Sequence, residues 1–452
     1  MIPSPGLFKD IIQFAEDGCS FEALPPEVIA ISKEVIVNAA GVGLAGAAQE
    51  EGHLITGFAQ EMGGNGRCTI IGKGLRTSPV YAALANGLMI HLLDFDDEVV
   101  ASGSHPGSVV LPVVMALGEM EGIPGSDVLS AFVLGCEVVS RLNGNRPENA
   151  GSSIFASTIG AAAAAGKLLD LGPGRLEQAL YLAAHSIIQG AAPPTAGPGR
   201  AYWLGQSAMA GLTAAMLAQR GLRASASQGS PELWDPKFSQ PESDNSLHAT
   251  SDPLGKPFAV LDPGAALKIY PCASPAHTAI DAALQLIQQF RISSDEIVSA
   301  KVGVTPAALA ALPFPTPGNG WEARYCLSYI VASAFTHGHP LIDNFTENAV
   351  ADIRVRDLMD RISVEATESP LGTILYPASI TVDLQDGRRL QHRAEFARGH
   401  VELPLSAEEL DAKFLYCSRY ILPPDHIEES IVRLRDLENI ENTTGIFSVL
   451  GG

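Results

Sequence analysis

Long apolar segments with helical periodicity are the feature that most constrains the fold of this chain. Between about residues 5 and 265, apolar residues recur at the 3.6-residue spacing of an amphipathic or buried helix. Ala and Leu are frequent in these segments, and Gly or Pro separates them. Small side chains let helices approach closely, so the pattern predicts a packed helical bundle. The predicted helices are 26–47, 78–95, 108–120, 127–142, 153–171, 175–192 and 204–222.

The pattern changes after the Pro- and Gly-rich segment 251–264. Apolar and polar residues alternate in two segments, which predicts strands, and Asp386-Gly387 predicts a type I′ hairpin turn. Helical periodicity returns from residue 406. We therefore expect a mainly α protein with an α+β part: a large all-helical domain, 1–265 completed by 405–452, and a smaller α+β domain, 266–404. The predicted strands lie in 296–306 and 378–396, and the predicted helices of the smaller domain are 323–335 and 343–362.

The charge and the cysteines exclude several classes of protein. With 50 acidic and 29 basic residues, the net charge is −21, so a basic face for nucleic acid or for an anionic membrane is not expected. An anionic small substrate stays compatible, because a few Arg and Lys set the field inside a pocket. The start of the chain does not resemble a signal peptide, and no metal or iron–sulfur spacing links the cysteines. We expect a cytoplasmic protein with buried, reduced thiols at positions 19, 68, 136, 272, 326 and 417.

The stretch "HLLDFDDEVVASGSHPG", residues 91–107, concentrates four acidic residues between two histidines. Crowded carboxylates repel one another, so such a cluster is solvated, paired or used in chemistry. Asp94 follows His91 by three residues and can share its helical face. One interpretation is a solvated helix end, after which His105 opens the next helix. The other is an active site, in which Asp96 and Asp97 are the most structural members.

The same stretch resembles the signature of the MmgE/PrpD family, in the form "ALANGLMIHLLDFDD…SHPGSVVLPVVMALGE". The resemblance continues in order through "GAAAAAGKLLDLGPGRLEQALYLA", "KIYPCASPAHTAIDAALQL", "EARYCLSYIVASAF" and "LSAEELDAKF", and so covers nearly the whole chain. The family includes 2-methylcitrate dehydratase, cis-aconitate decarboxylase and iminodisuccinate epimerase. The resemblance implies a large helical domain, a smaller α+β lid, a homodimer, an active site between the domains, and no metal or organic cofactor.

The resemblance also implies which residues carry the chemistry. It places His105 and Asp94 in the site, with His277 and Tyr329 contributed from the lid side. A C–H beside a carboxylate is a very weak acid, so the reaction needs a positioned base and groups that stabilise the developing charge. A histidine suits the base, Asp94 would orient and polarise it, and Tyr329 could donate a proton.

Three residues are expected to bind the substrate: Lys268, Arg200 and Glu98. Lys268 and Arg200 would hold carboxylates, the arginine in a bidentate manner. Arg200 replaces a lysine found in several family members, and Glu98 replaces the threonine of a common DFDDT motif. Gly151 occupies a position where dehydratases and decarboxylases of the family typically have histidine. These departures change which substrate groups can be protonated or held.

The sequence therefore predicts an acid–base enzyme that acts at the Cα–H of a small di- or tricarboxylate. The leading hypothesis is a cofactor-independent dehydratase or related lyase. An epimerase of the iminodisuccinate type is the alternative, since it needs acid–base groups on two faces of one carbon and no leaving-group acid. A third hypothesis is a catalytically silent homologue that binds carboxylates.

Overall fold

Helices dominate the protein, and a small sheet lies in its C-terminal part, as the sequence predicts. The computed structural model describes residues 5–64, 66–100, 102–144, 150–186, 196–224, 253–367 and 376–451. The chain divides into two units. The first comprises Met1–Leu92, Asp96–Ala266 and Ser406–Gly452, and the second comprises Leu93–Phe95 and Leu267–Leu405. The sequence places the main boundaries at 265 and 404, but it does not anticipate the three-residue contribution Leu93–Phe95 to the second unit.

The first unit is built from long helices whose interfaces are rich in Gly and Ala. At Gly205 an added Cβ would lie 2.4 Å from the carbonyl oxygen of Leu84. The helix that contains Gly205 and the helix that contains Leu84 therefore pack with their backbones in contact. This confirms the predicted role of the small residues. The helices are α1 (Pro5–Gln13), α2 (Pro26–Ala47), α3 (Glu50–Gly63), α4 (Pro79–His91), α5 (Pro106–Glu121), α6 (Gly125–Asn143), α7 (Ala150–Leu168), α8 (Pro173–His185) and α9 (Pro198–Gln219).

Helix α2 is long and apolar enough to cross a membrane by length and composition alone. However, 72% of its apolar window is buried inside the structure, as expected for the central helix of a helical core. The predicted helix 175–192 ends earlier, since α8 stops at His185, and its remainder from residue 187 lies outside the described residues.

Short strands also occur in the first unit, and the sequence did not predict them. Strands β1 (Cys68–Ile70) and β2 (Leu75–Thr77) pair in antiparallel fashion. Strand β3 (Asp97–Val99) lies within the acidic stretch, and β4 (Ala265–Leu267) lies where the chain passes from the first unit into the second. A three-residue strand is too short for a clear two-residue periodicity.

The second unit contains a four-stranded sheet with the order β6-β5-β7-β8. Strands β5 and β6 are parallel, whereas β5 pairs with β7 and β7 with β8 in antiparallel fashion. Every other residue of β7 is buried, which is the alternation that predicted the strand. The strands are β5 (Ile297–Val304), β6 (Ile362–Ala366), β7 (Ala378–Leu384) and β8 (Arg389–Ala394). The helices are α10 (His277–Phe290), α11 (Pro306–Ala311), α12 (Gly320–Ala323), α13 (Leu327–His337), α14 (Glu347–Val350) and α15 (Ile353–Met359).

The predicted hairpin is present between β7 and β8, but its turn differs from the prediction. Gly387 has a positive φ of 83°, and Asp386 is not among the residues with positive φ. A type I′ turn needs positive φ at both central residues. The backbone N–H of Leu384 donates to the carbonyl of Arg388, which leaves a three-residue loop ending in a left-handed glycine. The Asp386 carboxylate accepts from the backbone N–H of Arg388 at 2.9 Å and stabilises this longer turn.

The predicted helix 343–362 is broken into two short helices and a strand. Thr346 caps α14, and Asp352 caps α15 by accepting from the backbone N–H of Arg354 at 2.9 Å. Each cap starts a new helix because its side chain satisfies a backbone donor that would otherwise continue the preceding one. The last residue of the predicted helix, Ile362, is the first residue of β6.

Helices α16 (Ala407–Ser418) and α17 (Pro424–Arg435) belong to the first unit. Ser406 and Glu409 form a capping box at the start of α16. All six cysteines are buried free thiols, which confirms the expectation from their spacing. Burial raises the pKa of Cys19, Cys68 and Cys417 to about 12, so these thiols are unreactive packing groups.

Candidate functional site

The acidic stretch changes conformation several times over a few residues. Helix α4 ends at His91, and Asp94 adopts a left-handed conformation with φ of 51°. Such a φ is uncommon outside glycine, although the short polar side chain of Asp tolerates it. Phe95 is buried between Asp94 and Asp96. By its contacts Asp94 belongs to the second unit, whereas Asp96 belongs to the first.

In the first unit, Asp96 lies beside two imidazoles. Its Oδ2 is 2.9 Å from His91 Nδ1 and 3.5 Å from His105 Nδ1. The two rings meet edge to face, with centroids 4.5 Å apart and planes at 61°. All three side chains are buried, and Asp96 has no exposed surface. The carboxylate beside the histidines is therefore Asp96, whereas the sequence assigned that role to Asp94 and a structural role to Asp96.

The orientation of His105 is determined by its backbone contact. Its Nδ1 lies 2.8 Å from the carbonyl oxygen of Asp97. A carbonyl only accepts, so Nδ1 carries the proton and donates it, and in the neutral ring Nε2 carries the lone pair. A guanidinium nitrogen of Arg200, at the start of α9, lies 3.3 Å from that Nε2. The structure thus brings together His105 and Arg200, two of the residues that the sequence predicted.

The side chain of Asp97 binds the N-terminus of α5, directly after His105. Its Oδ2 accepts from the backbone N–H of Gly107 at 3.0 Å, where the helix dipole favours an anion. Among the described residues its Oδ1 has no hydrogen-bond partner. Burial, and next the charge of Asp96, raise the pKa of Asp97 to about 7. A Cβ at position 107 would lie 2.0 Å from Asp97 Oδ1, so this contact requires glycine.

The second unit contains a buried ion pair between Lys268 and Asp94. Lys268 is 4% exposed and Asp94 is 7% exposed, so both charges are removed from water and depend on each other. Lys268 directly follows β4, whose last residue, Leu267, donates its backbone N–H to the carbonyl of Gly399 at 2.9 Å. Burial and the nearby Asp94 charge also raise the pKa of Cys272.

His277 is the first residue of α10 and is buried. Its Nε2 donates to the carbonyl of Cys272 at 3.0 Å, and its ring meets that of Tyr270 edge to face at 5.1 Å. The Tyr270 hydroxyl donates to Asp281. These contacts hold the imidazole of His277 in one orientation, and its part in catalysis stays a prediction.

The remaining predicted residues lie in different surroundings. Tyr329 is completely buried in α13, and its hydroxyl donates to the carbonyl of Asn344 at 2.5 Å. Burial raises the pKa of this phenol well above its usual value, and the contact stabilises the fold of the unit. Glu98 is half-buried in β3, and Gly151 lies in the first turn of α7.

Within the described part of the chain, the side chains of His91, Asp96 and His105 have donor atoms that lie within 4.8 Å of one another. This spacing is close enough for the three side chains to ligate a metal ion. Two imidazoles and a carboxylate are the donors that zinc prefers. A metal on His105 Nδ1 would have to displace the proton that this nitrogen donates to the Asp97 carbonyl. The expected absence of a metal stays a prediction.

Sequence reasoning missed the roles of His91 and Asp96. In an extended segment successive side chains point to opposite faces, so Asp94 and Asp96 would share one face and Phe95 would lie on the other. The left-handed φ of Asp94 breaks that rule, and no residue pattern predicted it.

The chain matches known sequences over most of its length. Residues 9–233 match the MmgE/PrpD N-terminal domain, and residues 270–438 match the MmgE/PrpD C-terminal domain. The chain is 29% identical to the cis-aconitate decarboxylase of Homo sapiens over 456 residues, which cover 95% of this chain and 91% of that protein. It is 29% identical to the Mus musculus cis-aconitate decarboxylase, over 96% of this chain and 91% of that protein. Identity to the Aspergillus terreus (strain NIH 2624 / FGSC A1156) cis-aconitate decarboxylase is 22%, over 98% and 96% respectively.

Proposed function

This chain belongs to the MmgE/PrpD family, and on that basis we propose that it is a lyase acting on a small tricarboxylate. Decarboxylation of cis-aconitate is the first reaction to test, because the human and mouse relatives that carry this name align with nearly the whole chain. The dehydratase reaction that the sequence favoured belongs to the same class of chemistry. A cytoplasmic homodimer is part of the proposal.

The contact between His105 and Arg200 is the observation that supports this function best. The guanidinium lies 3.3 Å from His105 Nε2, and an arginine holds a carboxylate through two parallel hydrogen bonds. A substrate carboxylate on Arg200 would bring the adjacent carbon to the nitrogen that exchanges a proton. The backbone bond of Nδ1 to Asp97 leaves Nε2 as the nitrogen available for this step.

The same pair serves either kind of lyase. In decarboxylation the bond between carbon and a carboxylate breaks, CO₂ leaves, and the electron pair that remains on the carbon skeleton is protonated by the imidazolium. In dehydration the neutral imidazole removes the proton on carbon, the C–O bond breaks, and the hydroxide leaves as water with a proton from solvent. In both, positive charge near the carboxylate oxygens stabilises the anionic intermediate. Lys268, a buried ammonium, is the second cation that we propose for carboxylate binding.

Proton NMR of incubations in D₂O, together with a CO₂ assay, tests the function. We expect the enzyme either to release CO₂ from cis-aconitate with deuterium on the product carbon, or to release water from 2-methylcitrate with loss of the proton on carbon. Deuterium at Cα of iminodisuccinate with inverted configuration would instead establish the epimerase, and binding without exchange would establish a silent homologue. Arg200→Gln is the matched variant, because it removes the charge that we propose for carboxylate binding and is expected to keep the fold of α9.

A further inference from the structure

We propose that Asp96 and His91 are positioning residues for His105: His91 holds the Asp96 carboxylate, and Asp96 in turn stabilises the protonated form of His105, whose orientation the Asp97 carbonyl fixes. This inference rests on the proposed function, since it concerns the imidazole that we assign to proton transfer. It differs from the assignment suggested by the sequence, in which Asp94 orients the histidine.

The first step of the argument is the burial of Asp96. A carboxylate with no exposed surface is costly unless hydrogen bonds or charges replace its hydration. His91 Nδ1 lies 3.1 Å from one oxygen and 2.9 Å from the other, so this nitrogen bridges both. Because a carboxylate only accepts, His91 Nδ1 is the donor. His91 therefore determines where the carboxylate charge lies.

The second step concerns what that carboxylate does to His105. The Asp96 Oδ2 lies 3.5 Å from His105 Nδ1, beyond ordinary hydrogen-bond length. The Asp97 carbonyl instead accepts the hydrogen bond from Nδ1, at 2.8 Å. The carbonyl fixes the tautomer, and the negative charge next to it favours the imidazolium that forms when Nε2 takes up a proton. The two groups thus divide orientation and charge stabilisation.

The third step is the packing of the two rings. His91 is on the last turn of α4 and His105 immediately precedes α5, so two rigid elements hold them. Their edge-to-face contact at 4.5 Å leaves little freedom for either ring to rotate. The charged residues next to His105 are Asp96, Arg200 and Asp97. Both the backbone carbonyl and the carboxylate of Asp97 lie in this cluster. No other described cluster combines two buried imidazoles with a buried carboxylate.

A pair of substitutions at His91 separates positioning from simple packing. The amide of His91→Asn can donate close to where Nδ1 donates, whereas His91→Phe keeps a ring and removes the donor. We expect His91→Phe to lower kcat on the order of 100-fold, the scale of a misplaced acid–base group, with KM little changed, and His91→Asn to retain most of the activity. His426→Phe, an exposed histidine of α17, is the control and should behave as wild type.

The pH profile of kcat/KM is a second measurement, and it would not shift if His91 and Asp96 only packed the core. Asp96→Asn removes the negative charge behind His105, which makes the imidazolium less stable. Loss of that charge should shift the limb of the kcat/KM profile that His105 controls to lower pH in Asp96→Asn: the basic limb for decarboxylation, the acidic limb for dehydration. The same limb should stay in place in His426→Phe. Equal losses in His91→Phe and His91→Asn, or an unshifted limb in Asp96→Asn, would overturn the proposal. Loss of wild-type activity on dialysis against a chelator would also overturn it, since the trio would then be acting as metal ligands.

A measurement without substrate keeps this inference distinct from the proposed function. In protein labelled with ¹⁵N-histidine, NMR follows the protonation of each imidazole with pH, and His105→Gln identifies the signal. We expect His105 to lose its second proton at lower pH in Asp96→Asn and His91→Phe than in the wild type and His91→Asn. An unchanged titration of His105 in both variants refutes the positioning role, even if the protein proves to act on another substrate.

Discussion

Two carboxylates that are two residues apart in the sequence, Asp94 and Asp96, are buried in two different ways. In the second unit Asp94 is paired with the permanent positive charge of Lys268. In the first unit Asp96 lies beside two imidazoles, those of His91 and His105. An ammonium suits a site that must always attract an anion, whereas an imidazole suits a site that must gain and lose a proton. Neighbouring acids of one motif therefore serve different tasks.

The largest expected effect concerns the ion pair of the second unit. Lys268→Met keeps the length of the side chain but leaves the Asp94 charge buried without its ammonium. We expect it to lower the free energy of unfolding by about 3–5 kcal/mol, measured by urea denaturation. The double variant Asp94→Leu/Lys268→Met should recover most of this loss, because no unpaired charge stays buried. A loss below about 1 kcal/mol in the single variant, the scale of an exposed pair, would remove the contrast with Asp96.

The imidazole of the first unit should show the opposite signature, with loss of activity and little loss of stability. His105→Ala is expected to lower turnover by at least about 100-fold, equivalent to about 2.7 kcal/mol of transition-state stabilisation. Steady-state kinetics and the thermal midpoint should be measured on the same preparation. Unaltered turnover would remove His105 from the mechanism. It would also contradict the assignment of proton transfer to the cluster of His91, Asp96 and His105.

Gly107→Ala tests how tightly the first-unit site is built. The added Cβ would lie 2.0 Å from Asp97 Oδ1, so the start of α5 or the Asp97 side chain must move. We expect a loss of about 1–3 kcal/mol in the free energy of unfolding, typical of overpacking, together with reduced activity. Gly174→Ala is the matched control, since a Cβ there meets nothing within 4 Å. Equal stability of the two variants would show that the site adapts freely.

The smallest effect concerns the pH dependence of stability. The pKa of Asp97 is raised from 3.8 to about 7 in the folded protein, so the folded state binds more protons than the unfolded state between these values. The contribution of protonated Asp97 to the free energy of unfolding is fully present below about pH 4 and is lost as the pH rises through about 7. Asp97→Asn should flatten this decline, because the amide does not titrate. Thermal midpoints of both proteins between pH 4 and 8 measure it, and parallel curves would contradict the assignment.

Local patterns predicted the regular elements well and the irregular ones poorly. The helix predicted at 26–47 coincides with α2, because its apolar residues, its first-turn proline and its length all indicate the same element. The predicted helix 343–362 failed because the caps Thr346 and Asp352 start new helices within it. Strands of three residues were missed, since they contain too few residues to show a period.

The sequence selected several residues of the candidate site but none of the pairs that they form. The sequence, through the family resemblance, selected His105, Arg200, Lys268 and Asp94, and the structure places the first two in contact and the last two in contact. It did not select His91 or reveal that Asp96 lies beside both histidines. His277 and Tyr329 donate to backbone carbonyls, which no side-chain pattern could have indicated.

The sequence by itself determined the mainly helical class, the change to an α+β part, the buried free thiols and the family, because each of these depends on the order and spacing of residue types. Only the tertiary structure decided which carboxylate meets which cation. That choice depends on the left-handed turn at Asp94, on the end of α4 at His91 and on residues such as Lys268, which is 174 positions away from Asp94. A pairing over that distance results from the packing of the whole unit, and local sequence carries no record of it.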